Sequence, residues 1–185
     1  MFIQTEETPN PLTLKFLPGR EVMAKGTADF PDVEAAEKSL LAKNLFGIQG
    51  VTGVFYGADF ITITRAENFD WMVLKPSLLG AIMEYFLTHD QVVINQASEE
   101  NEDVMVVPDS EIVAEIKNLL DSKVRPAVAM DGGDIIFDKF VDGILYLRMQ
   151  GACSGCPSSS ATLKAGIENM LKHYIPEVVE VRAVQ

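Results

Sequence analysis

The sequence has few of the side chains that most often bind metals or act as nucleophiles, and little positive charge. Its 185 residues include 2 cysteines and 2 histidines. Only 15 lysines and arginines stand against 27 aspartates and glutamates, so the formal net charge is −12. Because the phosphates of a nucleic acid would repel such a chain, its composition argues against a nucleic-acid partner.

Long hydrophobic runs are absent as well. No apolar run reaches the roughly 20 residues that span a bilayer, so no membrane segment is expected. The first residues, MFIQTEETPNPLTLKF, show neither a basic segment with an apolar core nor an arginine-rich, acid-poor composition. This start predicts a cytoplasmic protein without a signal or transit peptide. In that reducing compartment a cysteine pair is more often metal-binding or redox-active than a structural disulfide.

Hydrophobic residues make up 48% of the chain, which is enough for packed cores. The sharpest change of composition is QASEENEDV, residues 96–104, which holds four acids and no base. Such a run is typical of a solvated linker, although an acidic loop inside one domain is the alternative. The sequence therefore predicts a domain at 1–95, a linker at 96–104 and a second domain at 105–185.

The first domain has the patterns of a mixed α/β fold. LTLKF predicts a strand, and Asp32 is placed to cap a helix that continues to about Phe46. VTGVF and FITIT flank YGAD as the two strands of a hairpin. Pro76 suits the first turn of a second helix.

The second domain has a clearer order of elements. A helix is predicted to begin at Asp109 or Ser110 and to end at Arg125-Pro126. A glycine turn at DGGD, residues 131–134, leads into two strands joined through Asp142-Gly143, and a helix and a last strand follow. The order α-β-β-α-β predicts a small sheet with two helices, and the whole chain is expected to be α+β with two small mixed domains.

Both cysteines lie in one short segment, GACSGCPSSS, as Cys153 and Cys156. Pro157 fits the first position of a helix, which places Cys156 at or beside the helix N-cap. The free N–H groups and the helix dipole there are expected to lower the cysteine pKa, and the loop is expected to lie outside the core. Small neighbours leave room and backbone donors for a bulky inorganic group: Gly151, Ala152, Ser154 and Gly155.

The residues alone leave three interpretations of this CxxC open. It could be inert, it could exchange disulfides, or it could bind metal. Thioredoxin-like sites usually have proline between the cysteines, whereas Ser154-Gly155 stands there here. A tetrahedral zinc or a [4Fe–4S] cluster needs about four protein ligands. His89 is in the other domain, and His173 lies about 17 residues along a helix, roughly 25 Å away.

Two arrangements would therefore give a metal its four ligands. Either solvent or small molecules complete the coordination, or two chains contribute two cysteines each. A site shared by a symmetric dimer would supply four thiolates and would leave the bound group accessible for transfer. These arguments do not distinguish an iron–sulfur cluster from zinc.

Several stretches resemble the NifU-like (Nfu) iron–sulfur scaffold family. MDGGDIIF and LRMQGACSGCPSSSATLKAGIENMLKHYIPEV are similar to the NifU C-terminal domain. TEETPNPLTLKF, FGIQGVTGVFYGADFITIT and DWMVLKP are similar to the Nfu N-terminal domain. The resemblance covers nearly the whole chain and has no departure at the cysteines.

This resemblance implies a carrier and not an enzyme. It implies that Cys153 and Cys156 bind a [4Fe–4S] cluster between two protomers of a homodimer, and that the cluster passes to apo-enzymes. The N-terminal domain is then expected to recognise client proteins or upstream assembly proteins. The rival hypotheses are a thiol–disulfide oxidoreductase that uses the same pair and a zinc-bridged structural dimer.

Overall fold

The computed structural model describes residues 2–92, 94, 111–154 and 157–184, with side chains in the last range from residue 161 onward. Three predicted features lie outside the described residues: the linker at 96–104, the helix start at Asp109 or Ser110, and the part of the cysteine loop that contains Gly155 and Cys156. The chain divides into two compact units, Met1–Gln96 and Ala97–Gln185, and each contains helices and a sheet. The α+β class expected from the sequence is confirmed.

The first unit packs helices against an antiparallel sheet. The elements in chain order are β1 (Gln4–Glu7), β2 (Thr13–Leu17), β3 (Ala28–Phe30), α1 (Val33–Ala36), α2 (Leu40–Phe46), β4 (Val51–Tyr56), β5 (Ile61–Arg65) and α3 (Trp71–Thr88). The strands lie side by side in the order β1-β2-β5-β4-β3. Leu78 and Ile82 from α3 are fully buried with Phe16 and Ile63 from the sheet. The hairpin expected around YGAD is confirmed as β4 and β5.

Two helices predicted in this unit differ from the structure, one in its continuity and one in its start. The helix expected from Asp32 to Phe46 is interrupted, because Ser39 is extended (φ −137°) and its hydroxyl accepts the Ala42 N–H at 3.4 Å to begin α2. Helix α3 begins well before Pro76, because Asp70 caps it through a bond from the Met72 N–H at 2.8 Å. In both cases a short polar side chain starts the helix.

The second unit is a three-stranded sheet with helices. The first helical stretch consists of α4 (Glu111–Leu119), a π-helical turn (Leu120–Val124) and α5 (Arg125–Met130). The remaining elements are β6 (Gly133–Val141), β7 (Ile144–Gly151), α6 (Pro157–Tyr174) and β8 (Glu180–Val184). The sheet order is β6-β7-β8, with the first pair antiparallel and the second parallel, which confirms the predicted α-β-β-α-β order.

Local signals determine much of this unit. Asp142 and Gly143 both have positive φ, 52° and 78°, as a tight hairpin turn between twisted strands requires. Leu145 and Leu147 are fully buried on the inner face of β7, and Leu171 of α6 is fully buried in the same core. This packing fixes the ends of β6 and β7 that meet at Gly133 and Gly151.

The predicted helix end at Arg125-Pro126 is wrong. The chain stays helical through these residues, because the π-helical turn changes the hydrogen-bond spacing just before Pro126 and the proline lies in the first turn of α5. Proline is tolerated there since the first N–H groups of a helix have no partner within it. The helical chain therefore continues to Met130, directly before the glycine turn.

No helix in the described part of the chain has both the length and the apolar character needed to cross a bilayer.

Candidate metal centre

Cys153 lies in the turn that follows β7. The Ala152 N–H donates to the Gly132 carbonyl at 3.1 Å, and the Ser154 N–H donates to the Gly151 carbonyl at 3.0 Å. Helix α6 begins at Pro157, as the sequence predicts. The second predicted ligand, Cys156, lies outside the described residues, so the structure places only one of the two thiols.

The expectation that this loop lies outside the core is wrong at Cys153. Its side chain is 7% exposed and belongs to the apolar cluster that also contains Ile135 and Leu147. The neighbouring Ala152 is buried too. The thiol therefore belongs to the core of the second unit.

Glycine at position 133 makes room for this thiol. A β-carbon built on Gly133 would lie 2.6 Å from Cys153 Sγ and 2.6 Å from the Gln150 carbonyl oxygen. Gly133 also pairs with Gly151 across β6 and β7, so two residues without side chains face each other at this end of the sheet. The sulfur consequently packs directly against the backbone of β6.

An ion pair holds the DGGD turn to the preceding helix. Arg125 donates through Nε to Asp134 Oδ1 at 2.8 Å and through Nη2 to Oδ2 at 2.7 Å. Asp134 is 3% exposed and also accepts the Ile135 N–H at 2.8 Å. A third bond, from Arg125 Nη1 to Asp121 at 3.1 Å, extends the pair along the helix. Bidentate geometry fixes both side chains, so Arg125 positions the start of β6.

The expected lowering of the cysteine pKa is wrong for Cys153. Burial raises the pKa of the Cys153 thiol to about 12, with smaller contributions from the negative charges of Asp131 and Asp134. Desolvation disfavours the thiolate, and nearby carboxylates disfavour it further. The helix-terminus argument applies to Cys156, which is outside the described residues. Without a bound cation, Cys153 is therefore a neutral thiol at neutral pH.

This pKa predicts slow alkylation of Cys153. With a pKa of about 12, roughly one thiol in ten thousand is ionised at pH 8. In a Cys156→Ser chain, the rate with iodoacetamide should rise about tenfold per pH unit from pH 8 to pH 11, because only the thiolate attacks. Asp131→Asn should speed the reaction by removing a negative charge. A rate that levels off near pH 9, measured by mass spectrometry, would contradict the raised pKa.

Breaking the Arg125–Asp134 pair should destabilise the second unit. Arg125→Met leaves the Asp134 carboxylate buried without its cation, and we expect a loss of roughly 2 kcal/mol, below the 3–5 typical of fully buried pairs because Arg125 is partly exposed. Arg148→Met is the matched control, since its 3.2 Å pair with Asp138 lies at the surface. That change should cost less than about 1 kcal/mol. If urea unfolding shows that Arg125→Met and Arg148→Met lower the free energy of unfolding equally, Arg125 has no special role in holding the turn.

The two histidines do not join the site. His89 ends α3 in the first unit, where its ring stacks on Tyr85 at 4.3 Å. His173 lies in the last turn of α6 with its ring edge-on to Tyr174. Within the residues that the structure describes, no three His, Cys, Asp or Glu side chains come together in a way that could hold a metal ion.

Sequence reasoning assigned no role at the site to Arg125 and Gly133. Arg125 was interpreted as a helix end, although it holds Asp134 across nine positions of sequence. Charge is the sequence signal that could have identified this role. Arg125 and Asp134 flank a stretch in which the exposed Asp131 is the one other charged residue. Gly133 gives no signal of its own, because its role depends on where Cys153 packs.

Two family models match this chain, one in each unit. The model described as scaffold protein Nfu/NifU N terminal matches residues 3–89. The model described as NifU-like domain matches residues 116–182, which include Arg125, Asp134 and both cysteines.

Curated relatives match along nearly the full chain. "NifU-like protein 4, mitochondrial" from Arabidopsis thaliana is 51% identical over 181 residues, which cover 96% of this chain and 64% of the relative. "NFU1 iron-sulfur cluster scaffold homolog, mitochondrial" from Drosophila sechellia is 50% identical over 185 residues, which cover 100% of this chain and 65% of the relative. The chain thus spans slightly less than two thirds of the length of these relatives.

Among solved structures, the solution NMR structure of a NifU-like protein from Saccharomyces cerevisiae matches with a TM-score of 0.47 and 24% identity. The match covers 50% of this chain and 84% of the yeast chain.

The cytoplasmic location expected from the first residues is contradicted. Both of these relatives, and "NifU-like protein 5, mitochondrial" from Arabidopsis thaliana at 50% identity, carry mitochondrial names. These names point to mitochondria and not to the cytoplasm. The composition of MFIQTEETPNPLTLKF does not by itself determine the compartment.

Proposed function

The chain belongs to the family of Nfu/NifU-type iron–sulfur cluster scaffold proteins, and from this premise we propose that it carries a [4Fe–4S] cluster and delivers it to apo-proteins. Cys153 and Cys156 are the proposed ligands, and a homodimer supplies four thiolates around one cluster. The cluster is cargo in this proposal, so the protein acts as a carrier and not as an enzyme. Client proteins and upstream assembly proteins are its proposed partners.

The observation that carries this proposal is the packing of Cys153 beside two glycines. Its sulfur lies against Gly133, which pairs with Gly151 across β6 and β7, so no side chain of Gly133 separates the thiol from the backbone of β6. Backbone close to a thiolate can donate N–H bonds to cluster sulfurs, which tune the stability of the cluster. One chain offers only two cysteines, so a four-thiolate shell needs a second chain.

The raised pKa of Cys153 also favours metal binding over disulfide exchange. An attacking thiol works best when its pKa is near the ambient pH, whereas the pKa of Cys153 is about 12. A metal cation removes this obstacle, because it stabilises the thiolate by direct coordination. Loading should therefore release protons. Cys156 could still attack a disulfide, so the oxidoreductase and the zinc-bridged dimer remain the alternatives to be tested.

Anaerobic reconstitution with iron and sulfide tests the proposal. The loaded protein should absorb broadly near roughly 400 nm and bind about four iron per dimer, as expected for a thiolate-ligated [4Fe–4S] cluster. It should then activate an apo-enzyme that requires such a cluster. Zinc and a free dithiol are colourless, so colour separates the iron–sulfur hypothesis from the other two. Four iron per monomer would exclude the shared cluster, and a cluster that no acceptor removes would exclude a carrier.

We further propose that domains at 1–95 and 105–185 are joined by an acidic linker at 96–104. A protease specific for acidic residues should then cut first between Glu99 and Asp103, because exposed polar connections are cleaved before packed elements. The C-terminal fragment should still fold and take up a cluster, since Cys153 packs within the core of its own unit. A folded fragment that binds no iron would mean that the N-terminal domain contributes to the site.

A further inference from the structure

The sheet of the first unit buries side chains on both of its faces. The core residues of β2, β4 and β5 alternate with residues that lie on the opposite face, which we call the outer face. On the outer face Phe55 and Thr62 are each 1% exposed, and Lys15 is 7% exposed. Phe60 is 3% exposed, and its ring centroid lies 6.0 Å from that of Phe55 and 4.8 Å from Lys15 Nζ. An antiparallel sheet commonly leaves its second face in solvent, so this burial requires a cover.

The described helices of the first unit do not account for that cover. All the buried residues that α1, α2 and α3 contribute belong to the core on the inner face of the sheet. Neither Phe55 nor Phe60 belongs to this core. The residues that follow Ile94 are the part of the chain attached directly to this unit, and they come next to be considered as the cover.

The chain leaves the first unit close to one edge of its sheet. Ile94 bridges to Ser39, whose hydroxyl lies 3.1 Å from the Tyr56 hydroxyl of β4, and β4 is next to the edge strand β3. Three strand spacings separate β3 from β2, which is a distance of about 14 Å. Nine extended residues span about 30 Å, so the chain from Ile94 to Asp103 is long enough to pass around this edge and reach Lys15.

We propose that residues 99–107 dock on the outer face of this sheet. The segment reads EENEDVMVV, in which four acids without a base are followed by four apolar residues. Its carboxylates complement the ammonium group of Lys15 and would join Glu6, which lies 3.4 Å from Lys15 Nζ, in a shared ion pair. Its apolar end complements the rings of Phe55 and Phe60. Only the residues beside 99–107 then remain a free tether.

Neutralising Lys15 should release the segment. The test digests the full chain with a glutamate-specific protease and follows cleavage after Glu99, Glu100 and Glu102 by mass spectrometry. These bonds should still be cut first, but docking should slow the cut, because a docked segment must open before a protease can bind it. We expect Lys15→Met to speed cleavage about threefold or more. Methionine replaces the apolar stem of the buried lysine, so the sheet should stay folded.

Lys75→Met is the matched control for the protease test. It also removes one positive charge, but Lys75 belongs to α3, which packs on the inner face of the sheet. Its rate should equal that of wild type. Salt at about 0.5 M should speed cleavage of wild type more than of Lys15→Met, because it screens the ion pair, and a free peptide of residues 96–107 calibrates the protease. If Lys15→Met is cut no faster than Lys75→Met, the proposal is wrong.

A photo-crosslinker in place of Phe60 gives a second, independent result. p-Benzoylphenylalanine retains the aromatic ring, circular dichroism checks the fold, and peptide mapping after illumination identifies what covers the outer face. Crosslinks to residues 99–107 of the same chain support the proposal. Crosslinks only to residues 2–92, only to residues 111–185 or only to another copy would overturn it. Neither test uses iron, so failure of this inference leaves the proposed function standing.

Discussion

Cys153→Ala is expected to abolish stable cluster binding and to leave the fold nearly unchanged. Each chain would keep one thiol, so a dimer would offer two thiolates where a [4Fe–4S] cluster needs four ligands. Alanine is the right replacement because Cys153 is 7% exposed in an apolar cluster. Serine would bury a hydroxyl there and could cost roughly 1–3 kcal/mol for reasons unrelated to metal. Iron content and absorbance after anaerobic reconstitution measure the effect.

Val128→Ala is the matched control for this experiment. Val128 is 2% exposed in the same apolar core, and its side chain has no atom that could bind a metal. Its truncation should destabilise the second unit by roughly 1–3 kcal/mol while each folded dimer still binds about four iron. The opposite pattern, with Cys153→Ala loading normally and Val128→Ala failing, would mean that the integrity of the core and not the thiol of Cys153 governs binding.

The elements that were predicted correctly are those with local causes. Asp142-Gly143 forms its turn because both residues adopt positive φ, and the alternation of Leu145 and Leu147 follows from the two-residue period of a strand. Pro157 opens α6 for an equally local reason. Each of these features is decided by a few neighbouring residues, so the sequence is sufficient to predict them.

The helix boundaries that were predicted wrongly depend on competing local signals. Both Asp70 and Pro76 can mark a helix start, and the structure uses Asp70. Arg125-Pro126 usually breaks a helix, yet a π-helical turn before it lets the chain continue. Arg125 is in turn held by Asp134 at the start of β6, a pairing nine positions apart that helix propensities do not describe.

The state of Cys153 could not be predicted for a similar reason. The small residues around it suggested an open loop, and the helix that follows suggested a lowered pKa. In the folded chain, β6 brings Gly133 against the sulfur. Apolar core residues such as Ile135 and Leu147 then exclude water from the thiol. Burial disfavours the thiolate, the negative charges of Asp131 and Asp134 add to this effect, and the pKa rises to about 12. Family resemblance singles out Cys153 as a proposed ligand, but only the packing gives its protonation state.

Gly133→Ala should have the second largest effect, on both folding and loading. Its β-carbon would lie 2.6 Å from the Gln150 carbonyl oxygen and 2.6 Å from Cys153 Sγ, closer than side-chain carbons approach other atoms in proteins. The Gln150 oxygen belongs to the backbone of β7, where Gln150 pairs with Asp134 of β6, so it cannot move away without disturbing the sheet. We expect a loss of roughly 3 kcal/mol, at the upper end of the cost of overpacking, and a displaced thiol that no longer retains the cluster.

Urea unfolding with two probes separates this effect from general damage. Trp71, the single tryptophan, lies in the first unit, so its fluorescence midpoint should not change, whereas the transition of the second unit in circular dichroism should shift to lower urea. Gly166→Ala in α6 is the control, because an added β-carbon there meets nothing within 4 Å. Alanine should be neutral or stabilise this helix by up to about 1 kcal/mol, and loading should be unchanged. If Gly133→Ala folds and loads like Gly166→Ala, the close packing of Cys153 on β6 is not what builds the site.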